Sequence, residues 1–231
     1  MKKYVFYAGI ACCIMLFVGT AAAISPVETA HFRVVANGQG LKAADLKKVG
    51  EEVEGVYDKV SDALGIGYTS SGKIEVRVYV TPEKGRALKT AASRSTIFLT
   101  LGRIDDETLW SILTYMIISK PLSTAPRWFY EGLAMYSEHG NMRDTYNKAL
   151  PLFSDFSFTK LEAKFGASNT YNDACLYSWA IVSYMIEAYG KDKLKDIYKE
   201  HGTFSDKFSK AFGVDMRSIE KKAHEIFSAY K

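Results

Sequence analysis

The sequence predicts an α+β fold, a small strand-rich half followed by a helical half. Two stretches of period-two alternation occur in the first hundred residues, and from residue 105 onward apolar residues recur almost entirely at helical spacing. No repeat, low-complexity stretch or long Pro/Gly/Ser linker interrupts the chain, so residues 24–231 are read as one domain. Its halves are 24–104 and 105–231.

Each element follows from local pattern. His31-Phe32-Arg33-Val34-Val35 is a short strand candidate. Lys42 to Leu64 places Leu46, Val49, Val53, Val56, Tyr57, Val60 and Leu64 three and four apart, an amphipathic helix closed by Gly65. Lys73 to Thr81 alternates, with Ile74, Val76, Val78 and Val80 on one face, until Pro82 stops it. Ser95 to Leu101 repeats the pattern with Ile97, Leu99 and Leu101. Asp105 or Asp106 caps a helix to about Ser119, ended by Lys120-Pro121. Pro126 opens the next, Arg127 to Glu138, which Gly140 stops. Tyr171 to Tyr189 is a long apolar helix ending at Gly190, and shorter ones follow near Lys191 to Glu200 and Ser205 to Phe212. Asp215 caps the last, Met216 to Tyr230.

The chain opens with Met1-Lys2-Lys3, runs apolar from Tyr4 to Val18, and reaches Gly19-Thr20-Ala21-Ala22-Ala23. That order describes a signal peptide over residues 1–23, cut after Ala23, and hence an extracytoplasmic protein, periplasmic or secreted. An uncleaved segment would instead anchor the chain, since Tyr4 to Ala23 nearly matches the ~20 residues of a bilayer span. Without Lys2 and Lys3 the chain keeps 28 basic against 26 acidic residues, a net +2. That balance supplies no field for nucleic acid. Lys47-Lys48 and Lys221-Lys222 sit beside acids and read as solvated helix faces. With the signal removed, Cys175 alone remains, so no internal disulfide supports the fold.

Two segments carry the functional argument: Leu109-Trp110-Ser111-Ile112-Leu113-Thr114-Tyr115-Met116-Ile117-Ile118-Ser119 and Arg127-Trp128-Phe129-Tyr130-Glu131-Gly132-Leu133-Ala134-Met135-Tyr136. The second resembles the Trp-x-x-Glu-Gly-Leu-Ala-x-Tyr segment of the peptidase MA-like family, gluzincin-type zinc metallopeptidases. The resemblance implies a gluzincin-like scaffold. It also implies a helix bearing H-E-x-x-H, whose histidines, one turn apart, bind zinc while the glutamate serves as general base. A second helix supplies the third ligand, a glutamate.

Laid on this chain, Tyr115 stands at the first histidine, Met116 at the base and Ser119 at the second histidine; Glu131 alone matches, at the third-ligand position. Zinc takes thiolate, imidazole or carboxylate donors. A phenol must lose a proton of pKa about 10 to become a good ligand, and an alcohol and a thioether are poor donors. The resemblance therefore implies a degenerate site with no metal, no cofactor and no assigned catalytic residue. Glu131 is either a retained contact or a polar relic hydrogen-bonded to Tyr115 or Ser119. Trp128 and Tyr136 are candidates for cleft lining, against a plainer role in core packing.

No other catalytic arrangement emerges. His31, His139, His201 and His224 lack ligand spacing and read as isolated surface residues. Cys175 sits in an apolar helical run, where an inert buried thiol is the plainer alternative to a nucleophile. Three roles follow: non-catalytic binding of peptide or protein segments, an envelope scaffold, or a hydrolase using Glu131 and Tyr115 without zinc. The expected partners are extracytoplasmic peptide or protein segments, with membrane contact only through an uncleaved N-terminus.

Overall fold

A computed structural model describes residues 24–67, 72–80, 91–93, 95–102, 106–119, 122–146, 150, 153 and 155–228. The segment 1–23 expected as a signal, the breakers Pro82 and Lys120-Pro121, and the expected end of the last helix at Tyr230 lie outside the described residues. The architecture is α+β, as the patterning predicts. Strands β1 (Val27–Glu28), β2 (Phe32–Ala36), β3 (Ile74–Tyr79), β4 (Ala91–Ser93) and β5 (Thr96–Thr100) form one sheet of order β1-β2-β3-β5-β4. The three central strands run parallel, and the short strands at both edges are antiparallel.

Helix α1 (Ala43–Leu64) connects β2 to β3 and lies against the sheet. Val34, Val76 and Ile97 are in register across the three central strands. With Phe32, Ile74, Val78 and Leu99 they are sealed from solvent, as are Leu46, Val53, Val60 and Leu64 of α1. The alternate residues Arg33 and Arg77 are exposed, so the period-two pattern is that of a sheet covered on one face. Gly65 ends α1 in the left-handed conformation (φ 69°), which a side chain would disfavour.

The helical half comprises α2 (Asp106–Ser119), α3 (Arg127–His139), α4 (Met142–Thr145), α5 (Phe158–Lys164), α6 (Ser168–Tyr189), α7 (Asp192–Lys199), α8 (Phe204–Phe212) and α9 (Met216–Ser228). Helix α6 begins at Ser168, three residues before Tyr171, where the predicted helix opens. Strands β1 and β4 and helices α4 and α5 are additions to the predicted set, each too short to carry a period of its own. Four devices position α3. Trp128 is wholly buried, its ring stacked on Phe158 with centroids 4.6 Å apart and edge-on to Phe204. The Trp128 amide, one of the unpaired donors at the start of α3, donates to Glu162 Oε1 of α5 at 2.8 Å. Toward α2, Trp110 Nε1 donates to Ser137 Oγ at 2.8 Å, and Thr114 Oγ1 meets the same oxygen at 3.0 Å. Toward α6, Gly132 lets the two backbones meet: a Cβ there would lie 2.5 Å from the Ser178 carbonyl oxygen.

Candidate functional site

Helix α2 is apolar on nearly every side, which suits a helix packed between α1 and α3. Met116, Ile117 and Ile118 are buried, whereas Tyr115 and Ser119 are half-buried. Tyr115 stacks on Tyr130 of α3, centroids 5.8 Å apart and 24° from parallel, so its hydroxyl is brought to Glu131. Tyr130 is itself fixed by a hydrogen bond from its hydroxyl to the Leu122 carbonyl.

Glu131 is only 7% exposed, and a carboxylate so enclosed requires donors. It has two described ones. Arg127, one turn earlier on α3, donates from Nε to Oε1 at 3.1 Å. Tyr171 of α6 donates its hydroxyl to the same oxygen at 3.1 Å. Tyr115 of α2 lies beside the same carboxylate. The Arg127 guanidinium carbon lies 5.1 Å from the Phe165 ring centre and 5.3 Å from that of Tyr171, which holds the cation in an aromatic bracket.

The electrostatics follow from this arrangement. Burial first, and then the neighbouring Glu131 carboxylate, push Tyr115 far above the ordinary phenol range. Burial and the same charge do so for Tyr171. One turn beyond Tyr171 on α6, Cys175 is pushed up to about 11, by burial first and Glu131's charge second. Its thiol is therefore neutral at physiological pH and is no activated nucleophile.

The structure sets Tyr115 beside Glu131, while the described hydrogen-bond partners of that carboxylate are Arg127 and Tyr171 and do not include Ser119. Met116 packs into the core. Trp128 is enclosed rather than lining a cleft, and Tyr136 is half-buried on the same helix. Sequence reasoning missed Arg127 and Tyr171. The first leaves a signal, an opposite charge four residues before Glu131 on one helix. The second lies forty residues away and leaves none.

A zinc ion does not fit these residues. Oε1 of Glu131 already accepts from a guanidinium and a phenol, and Tyr115 is held away from ionisation. Met116 and Ser119 offer a thioether and an alcohol. Arg127 supplies in covalent form the positive charge that a buried carboxylate needs.

Residues 103–229 match the family model described as the peptidase MA superfamily. No curated protein and no solved structure matches the chain. The match covers more than half of the chain and runs from the approach to α2 through all of α9, including the three helices, α2, α3 and α6, that build the Glu131 cluster. On that match, carried by a scaffold of a one-face-covered sheet and packed helices, the chain belongs to the peptidase MA superfamily.

Proposed function

We propose that this is an exported, catalytically inactive member of the superfamily that holds extended peptide or protein segments without cutting them. The observation that carries the reading is the state of Glu131: its donors are Arg127 and Tyr171, and Tyr115 lies beside it, all from its own chain. No general base stands where Met116 is buried. An open sheet edge supports the binding part of the reading. Strand β4 forms one edge of the sheet and touches α2, the helix that carries Tyr115. An extended segment adds to such an edge through main-chain hydrogen bonds, without need of a metal.

The export part of the reading rests on the Lys-flanked apolar segment and its Ala-rich end. Among the described residues no helix is long and apolar enough to cross a membrane, so an uncleaved N-terminus would be the anchor.

The test is a peptide array and an extracytoplasmic pull-down with residues 24–231, run beside a hydrolysis assay with and without added zinc. Expected are captured segments that emerge intact. Cleavage that disappears in Glu131→Gln, with the fold retained, would instead establish a hydrolase. A second reading, an envelope scaffold, draws on the internal filling of the site by Tyr115, Tyr130 and Met116. Under it no peptide is captured and substitutions along the β4 edge have no effect.

A further inference from the structure

We propose that His31, Glu54 and Asp58 form a binding site for one divalent transition-metal ion of the zinc class, in the N-terminal half and separate from the Glu131 cluster. The sequence reading sets His31 aside as an isolated surface residue, but the fold brings it to α1. Glu54 and Asp58 are four apart on that helix, so their carboxylates rise from one face a single turn apart. His31 sits at the entrance to β2, which packs beside α1. One donor atom from each of the three side chains lies within 4.8 Å of the other two.

Two features organise this cluster before any ion arrives. The imidazole lies against the Tyr57 ring, centroids 4.2 Å apart and 32° from parallel, and Tyr57 is buried edge-on to Phe32. The ring plane is therefore set by the core. Glu54 is held from the other side: the His31 amide donates to Oε2 at 3.2 Å, and His31 Nδ1 contacts Oε1. Asp58 is exposed and free to swing.

Zinc–ligand distances of about 2.0–2.2 Å place donor atoms of one tetrahedral shell roughly 3.3–3.6 Å apart. His31 Nδ1 already lies against Glu54 Oε1, and rotation of the exposed Asp58 adjusts the third donor to that spacing. One imidazole with two carboxylates suits zinc, cobalt, nickel or copper, whereas magnesium and calcium favour all-oxygen shells. Three protein ligands on an exposed face leave the remaining positions to water, so the ion exchanges freely.

Asp58 is the discriminating residue. An ordinary His31–Glu54 ion pair requires only two of the three side chains, while the metal site requires all three. The experiment strips the full chain with a chelator and titrates it with zinc chloride by calorimetry. A cobalt(II) titration monitored through the histidine ring signals runs in parallel. Expected is uptake of one ion lost in His31→Ala and weakened at least tenfold in Asp58→Asn, whose exposed position leaves the fold intact. Glu131→Gln binds as the parent does, and cobalt broadens the ring signal of His31 but not that of His224. Absence of uptake, or uptake indifferent to His31→Ala and Asp58→Asn, overturns the site.

Discussion

Gly132→Ala tests the packing that holds the Glu131 cluster together. The added Cβ would stand 2.5 Å from the Ser178 carbonyl oxygen, 2.6 Å from Val182 Cγ2 and 2.9 Å from the Ser178 carbonyl carbon. Two of these atoms are backbone of α6 and cannot rotate aside. To recover an ordinary contact of 3.4 Å, α3 and α6 must part by about 0.9 Å. Overpacking of this kind costs about 1–3 kcal/mol, and a rigid obstruction puts the cost at the upper end. Alanine returns up to ~1 kcal/mol of helix propensity, leaving a net loss of about 2 kcal/mol. For a chain of this size the melting temperature then falls about 4–8 °C. Circular dichroism melts of parent and variant measure it, and Gly55→Ala is the control. Gly55 is exposed in α1 with nothing within 4 Å of its added Cβ, so that variant gains stability. A Gly132→Ala protein that melts at or above the parent temperature refutes the close α3–α6 contact and the account of Glu131 built on it.

Arg127→Leu leaves an enclosed carboxylate with the Tyr171 hydroxyl as its described donor; with Arg127 half-exposed, the loss is about 1–2 kcal/mol. Adding Glu131→Gln removes the uncompensated charge and recovers most of that loss in urea unfolding, whereas simple additivity of the two changes would contradict the pairing. Tyr115 and Tyr171 are held neutral in the folded state, so unfolded chains lose protons first as pH rises through about 10. The stabilisation is complete below that pH and is lost above it. Tyr115→Phe and Tyr171→Phe should each make the alkaline decline shallower, and an unchanged slope would count against their burial beside Glu131. Cys175, pushed up to about 11, carries little thiolate at pH 8. Its alkylation, followed by mass spectrometry of its peptide, should run about a hundredfold slower than that of an ordinary cysteine and accelerate above pH 10. Rapid labelling at pH 8 would contradict the shift.

Helix α1, strands β3 and β5 and the helical second half are legible in the sequence because each is long enough for its apolar period to repeat. Leu46 to Leu64 spans about five turns, and Ile74, Val76 and Val78 alternate over a full strand. Glu131 is legible too, since the motif around it is local to one helix, and so is the absence of histidine from positions 115 and 119. Strands β1 and β4 are not, because pieces of two or three residues owe their existence to a neighbouring strand rather than to a period. Only tertiary structure decides what Glu131 touches. Tyr171 reaches it because Gly132 admits the α6 backbone, and Tyr115 lies beside it because Ser137 fixes α2 upon α3. Likewise, nothing along the chain joins His31 to Glu54 and Asp58; docking α1 on the sheet does so. Periodicity is a property of neighbours in sequence, whereas the partners of a buried charge or a metal ligand are set by which faces pack, and spacing carries no record of that.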